Sequence, residues 1–231
     1  MNKALKVIVE ILLFAVCCGL VYMIVSSMNE PVKFENQKKY RESVAVQRLK
    51  DIRSLQVAYK AVNGKFTSDI DSLKLFYETG EMAVVMQIGS MDDSLAVVHT
   101  ADVKKSIKGK DVNEQLYAKY LAGDKNLVFS VENKIPVKDT LFNHRDDFNV
   151  DSLKFIPFSG KQPVEMEAIV KMVSGVQVPL FEARMPYKKL LKGLDNQLRI
   201  NLDADRRDQN KYEGLQVGSI TAPNNNAGNW E

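Results

Sequence analysis

From Val7 to Val25 the chain reads VIVEILLFAVCCGLVYMIV, 19 positions with a single charge, Glu10. A helix rises about 1.5 Å per residue, so this run nearly covers a hydrocarbon layer of roughly 30 Å. Lys3 and Lys6 precede it, and basic residues ahead of a first span hold that end in the cytoplasm. The pattern therefore predicts a single-pass membrane protein with residues 1–6 cytoplasmic and the C-terminal domain exported. Ser26-Ser27-Met28-Asn29-Glu30 offers no Ala-x-Ala-like cleavage site, and Val16 rather than a small residue precedes Cys17. An uncleaved signal anchor over residues 7–27 is expected.

The pattern then becomes amphipathic. Val44, Leu49, Ile52, Leu55, Tyr59 and Val62 recur three to five residues apart, within an arc of roughly 140°. This predicts a helix from about Glu35 to Val62 within a juxtamembrane segment 28–66. Asn63-Gly64 supplies its C-terminal stop. Ser68 with Asp71 three positions on predicts a capping box for a second, short helix. Met82 to Ile88, Leu95 to His99 and Asn126 to Val131 read as short strands, and Asp111 to Leu121 as a helix. Val164 to Met172 alternates, Ser174-Gly175 turns, and Val176 to Arg184 follows, which is the clearest hairpin signal. Leu198 to Leu202 and Leu215 to Ile220 suggest further strands. Residues 221–231 read as a loose, polar C-terminal tail. The predicted class is α+β, with a transmembrane helix, a long amphipathic helix, then a mainly antiparallel sheet with short helices. The exported domain spans 67–220, with a weak break near 133–151, where Pro, Asn and Asp cluster.

Composition narrows the chemistry. With 32 basic and 29 acidic residues the net charge is +3, which gives no global signal for nucleic acid. Cys17 and Cys18 both lie in the span, so thiol catalysis and Cys-based zinc binding in the domain are excluded. His99 falls in an apolar, strand-like run and His144 in the loop-like NHRDD. Asp146, Asp147 and Asp151 lack the glycine and glutamate of an EF-hand. Asp203 to Asp208 is a charge-rich stretch whose members can pair among themselves. No P-loop or GxGxxG element is present. The expectation is a protein that is not an enzyme and takes no cofactor or metal.

Six residues stand out for association. Glu10 is ionisable inside the span, about one turn from its end, where it can reach the headgroups or dock a partner helix. Ala15 and Gly19 form a small-xxx-small pair that allows close helix approach. Arg41, Arg48 and Arg53 belong to the basic face of the long helix, available to partner proteins or anionic headgroups.

The stretch AVQRLKDIRSLQVAYKAVNGKFTSDIDSLKLF, following a span directly, resembles the type IV pilin and pseudopilin superfamily. The likeness rests on Ile52-Arg53, on Leu55 to Tyr59, on Asn63-Gly64-Lys65-Phe66 and on Asp71 to Leu73, and covers roughly the first 80 residues. It implies a first helix that both anchors and packs subunits. The pattern departs at the prepilin cleavage site. With Glu10 in the family's glutamate position, the residue before the cut would be Leu5, not Gly. The remainder, ending Asn224-Asn225-Asn226-Ala227-Gly228-Asn229-Trp230-Glu231, is similar to single-span proteins of Bacteroidota, and this likeness implies no activity. Four Asp-Ser/Thr-aliphatic triplets, at Ser72, Ser94, Thr140 and Ser152, resemble the O-glycosylation acceptor of exported Bacteroidota proteins; composition alone gives about half an occurrence. The expectation for function is a non-enzymatic subunit or scaffold of an envelope assembly, with envelope proteins or further copies of the chain as partners. The alternative is a tethered binding or sensing domain for a small ligand or envelope polymer.

Overall fold

A computed structural model describes residues 3–107, 109 and 111–231. Its first element, α1, is a single helix over Lys3–Asn63. At 61 residues it is about 90 Å long. The apolar first part and the amphipathic second part are thus one rod, and the polar stretch around Pro31 is helical. Pro31 donates no N–H, so the carbonyl of Ser27 loses its helical partner and the rod can bend there. This helix is long and apolar enough to cross a membrane, and the apolar window is bare of protein contacts.

The second half of α1 carries the domain. Ala45, Leu49, Ile52 and Leu55 are fully buried, and Ala58 nearly so. Gln56, also fully buried, pins the turn after the helix: its amide donates to the Thr67 carbonyl at 2.6 Å and its oxygen accepts from the Thr67 N–H at 3.2 Å. Val62, expected on the buried stripe, is exposed, because the domain wraps only the preceding turns.

Next come α2 (Ile70–Thr79), β1 (Glu81–Ile88), α3 (Ser94–Ser106), α4 (Val112–Leu121), β2 (Phe129–Pro136) and the one-turn α5 (Val137–Thr140). After a 3-10 turn at Val150–Lys154 follow β3 (Glu165–Val173), β4 (Val176–Pro186), the one-turn α6 (Tyr187–Leu190), α7 (Asn196–Asp208) and β5 (Gly214–Gly218). The class is α+β. One antiparallel sheet is β1–β2, and the other has the order β3–β4–β5. The β3–β4 hairpin runs in register from Glu165 opposite Arg184 to Val173 opposite Val176. Ser174 and Gly175, at φ 49° and 81°, form the doubly left-handed turn that matches the strand twist.

Four local readings are corrected. Residues 95–99 are helical, in α3. Ala96 and Thr100 are buried with Val103 and Ile107 beside the second core, a helical spacing that the β-branched run masked. Asp93 caps this helix, accepting from the N–H groups of Leu95 and Ala96. Residues 198–202 lie in α7, which Asp195 caps. The cap of α2 is Asp69, not Ser68: its carboxylate accepts from the N–H groups of Asp71 and Ser72. The C-terminal tail is docked rather than loose. Gly218 N–H donates to Ala227 O and Asn229 N–H to Gln216 O, both at 3.0 Å, so the tail covers the open edge of β5, and Trp230 packs on the main core.

Two cores result. The main one joins α1, α2, α5, β4, β5 and α6. The second, around Leu116, Leu127 and Phe129, is built where α3 and α4 are inserted between β1 and β2. The chain leaves the second core after Val131 and rejoins the main core at Val137, with Leu153 further on in the same core.

Candidate functional site

The apolar part of α1 presents three singled-out residues on two faces. Ala15 and Gly19 are one turn apart, whereas Glu10 lies about 140° from Ala15 and about 180° from Gly19 at 100° per residue. All three are exposed, and a Cβ added at Gly19 would meet nothing within 4 Å. One neighbouring helix therefore meets the small pair or Glu10, not both.

The three arginines of α1 face their own domain. Arg41 donates to the carbonyls of Leu190 at 3.1 Å and Lys192 at 2.9 Å. Arg48 donates to the Phe155 carbonyl. Arg53 reaches the Asn226 carbonyl at 3.3 Å and the Glu231 carboxylate at 2.7 Å. Each guanidinium thus fastens a different loop to the helix, and the basic face expected to be free is largely committed. Burial lowers the pKa of Arg48, partly opposed by Asp51; a guanidinium stays charged regardless. Lys33, Lys39 and Lys50 remain as exposed cations of this helix.

Beside Arg48 lies a polar cleft of about 300 Å³. Asp51 is buried on its wall and receives Arg145 at 2.6 Å and Gln47 at 3.0 Å. Burial raises the Asp51 pKa against the lowering by Arg145 and Gln47. Arg145 in turn lies over the rings of Phe142 and Phe148, which stack with centroids 4.0 Å apart. The charges of this cleft neutralise one another, so it resembles a tertiary clasp more than a reaction centre. A wider groove of about 870 Å³ runs between Val57, Ala61, Phe66, Met82 and the tail residues Asn225–Ala227.

The four Asp-Ser/Thr-aliphatic triplets sit at helix starts or in single turns. Ser72 donates to the capping Asp69 at 2.6 Å, Thr140 to Pro136 O at 3.3 Å, and Ser152 to Asn149 O at 2.7 Å. Ser94 opens α3, and it and Thr140 are exposed, whereas Ser72 and Ser152 are half-buried. Helix capping explains the aspartate of the Ser94 triplet without glycosylation, since Asp93 is the cap.

His99, on a helix rather than a strand, lies 2.8 Å from Asp124. Asp147 pairs with Arg145 and Asp151 with Lys74 at 2.5 Å. Asp203 pairs with Arg199 at 2.5 Å, while its other oxygen, Oδ1, is buried without a partner. No group of three or more His, Cys, Asp or Glu placed to hold a metal occurs among the described residues. The Asp51–Arg145 clasp, 94 positions apart, had no local signal in the sequence. No family model, curated protein or solved structure matches the chain.

Proposed function

We propose that the chain is a non-enzymatic, membrane-anchored subunit or scaffold of a bacterial envelope assembly, pseudopilin-like in its plan. Its N-terminus lies in the cytoplasm and its domain in the periplasm. The observation that carries this reading is the unbroken α1, bare along its apolar part and built into the main core from Ala45 onward. A tethered receptor needs only a flexible leash. A rod continuous with the core couples the orientation of the domain to the helix in the bilayer, which matters when neighbours must fit against it. The test is cross-linking in native membranes, followed by gentle extraction and mass spectrometry. A self-cross-linked ladder, or envelope proteins in constant ratio, is the expected result. A monomer without companions overturns the reading.

The second reading is a tethered domain that binds a small ligand or envelope polymer, and the groove beside the tail supports it. A ligand in that groove raises Tm in proportion to the logarithm of its concentration above Kd.

A further inference from the structure

The strand-like segment before β3 doubles back on itself. Val164 N–H donates to Lys154 O at 3.0 Å and Ile156 N–H to Gln162 O at 2.8 Å, leaving residues 157–161 as the tip. Its direction is fixed by α1. Phe155 O meets Arg48, whereas the Phe158 ring meets Arg41, 5.0 Å from its guanidinium carbon, and Tyr40, at 5.8 Å between centroids. The tip therefore points back along α1 toward the apolar part.

This tip is rigid and strained. Phe158, Gly160 and Lys161 have φ of 60°, 74° and 65°, a region that non-glycine residues rarely adopt. Ser159 is fully buried and holds the tip from inside, donating to Ile156 O at 2.7 Å and accepting from Gln162 N–H at 2.9 Å. The outcome is a phenylalanine left 42% exposed and an exposed Lys161 beside it. The next loop adds Lys192, whose ammonium lies 3.5 Å from where a Cβ on Gly160 would stand. Arg41 clamps that loop through Leu190 O and Lys192 O.

Helix geometry sets the height of this patch. Tyr40 is 12 residues past Met28, about 18 Å along the axis. The headgroup layer occupies roughly 5–8 Å of that. Helical side chains lean toward the N-terminus, which brings Tyr40, Arg41 and the Phe158 ring lower still. The patch lies to one side of α1, so an ordinary tilt of about 20° brings it roughly 4 Å nearer the surface, and a bend at Pro31 supplies the rest. The acidic groups at this end are Glu30, Glu35, Glu42 and Asp195, of which Glu35 is held by Lys38 at 2.9 Å and Glu42 accepts from the Tyr187 hydroxyl at 2.5 Å; opposite them stand Lys33, Lys39, Arg41, Lys161 and Lys192.

We infer that the paired tips at Phe158–Lys161 and Leu190–Lys192 are a second membrane contact, resting the domain on anionic headgroups of the bilayer that α1 spans. This inference rests on the membrane-anchored reading but on neither its orientation nor its partners. Phe158 enters the interfacial layer, and Lys161 and Lys192 bind lipid phosphates.

The test uses the full chain in nanodiscs of phosphatidylcholine, alone or mixed with phosphatidylglycerol, with amide hydrogen exchange as the readout. Exchange at residues 158–161 and 191–194 should slow about tenfold in the anionic discs. High salt should abolish the slowing, as should the pair Lys161→Gln and Lys192→Gln, with Tm unchanged. Equal exchange in the two bilayers overturns the inference while leaving the anchor intact. Protection that follows the number of chains per disc rather than lipid charge assigns the patch to contact between copies and overturns it too. A chain that the discs do not retain removes the anchored reading and this inference together.

Discussion

Arg53 and Glu231 lie 178 positions apart, yet their 2.7 Å contact closes the tail over β5. Beneath it Gly228 leaves room for Trp230: a Cβ there would stand 2.3 Å from the indole. Gly228→Ala is therefore expected to release the tail, read as a red shift of the protein's one tryptophan. Arg53 holds the Glu231 carboxyl below its ordinary 4.5. A depressed carboxylate contributes stability that is present above the unfolded value and lost as pH falls through the folded one. Trp230 emission should thus stay constant from neutral pH down to the ordinary glutamate range and shift red below it, whereas in Arg53→Gln, which leaves no ion pair for protonation to break, this step should largely disappear. Both partners are partly exposed, so Arg53→Gln should change global stability little while loosening the tail. The Asp51–Arg145 clasp behaves differently. Arg145→Met strands a buried carboxylate and should cost about 2–3 kcal/mol in chemical denaturation, whereas Asp51→Asn keeps a neutral partner and should cost about 1 kcal/mol. Because burial raises the Asp51 pKa, the folded state binds that proton more tightly than the unfolded one. Its contribution is fullest below the unfolded pKa and declines as pH rises through the folded value; in Asp51→Asn this slope should vanish. Equal costs for the two variants would show that the carboxylate is not desolvated.

At the scale of elements, capping and packing overrode propensity. The run Leu95-Ala96-Val97-Val98-His99 has a strand's composition, yet Asp93 starts a helix and the second core takes one face of it. Leu95 and Val98 stay exposed, so apolar residues occupy both faces and no periodicity could be read. Asp93→Ala should cost about 1 kcal/mol. Because the second core is separate, hydrogen exchange should quicken in α3, α4 and the adjoining ends of β1 and β2, while α1 and β4 keep their protection. Uniform quickening would make the two cores one cooperative unit. The β3–β4 hairpin was legible because β3 alternates, with Val164, Met166 and Ala168 on the main core, and because the turn demands two left-handed residues, which Ser174-Gly175 meets. In α7, Leu198 and Leu202 are one helical turn apart, and Arg199 pairs with Asp203 over the same spacing. Five residues were too few to tell that spacing from a strand.

At the scale of the molecule, α1 is one rod with two surroundings. Its apolar part meets no protein, whereas Leu49, Ile52 and Leu55 are sealed in the domain. A fragment beginning near Asn29 should therefore be soluble, folded and monodisperse by light scattering. Aggregation would mean that the stripe is incompletely covered and belongs to an interface between chains. Glu10→Gln should leave insertion unchanged. If Glu10 docks a partner helix, the complex shrinks on native gels; an unchanged complex leaves Glu10 a snorkelling residue.

The apolar rod, the amphipathic stripe, the hairpin and the α+β class were legible along the chain, because each is written in spacing along a few turns or strands. The stop at Asn63-Gly64 was legible for the same reason. What the charges do emerged from the folded arrangement. Arg41, Arg48 and Arg53 read as a solvated basic face, but each finds a carbonyl or carboxylate more than a hundred residues away. Asp51 finds Arg145, and the tail finds β5. Such pairings follow from loop closure around a shared core, and side-chain reach in space carries no period in sequence. The strained tip at Phe158 was hidden for that reason too: the exposure of its ring depends on Ser159 beneath it and Arg41 behind it.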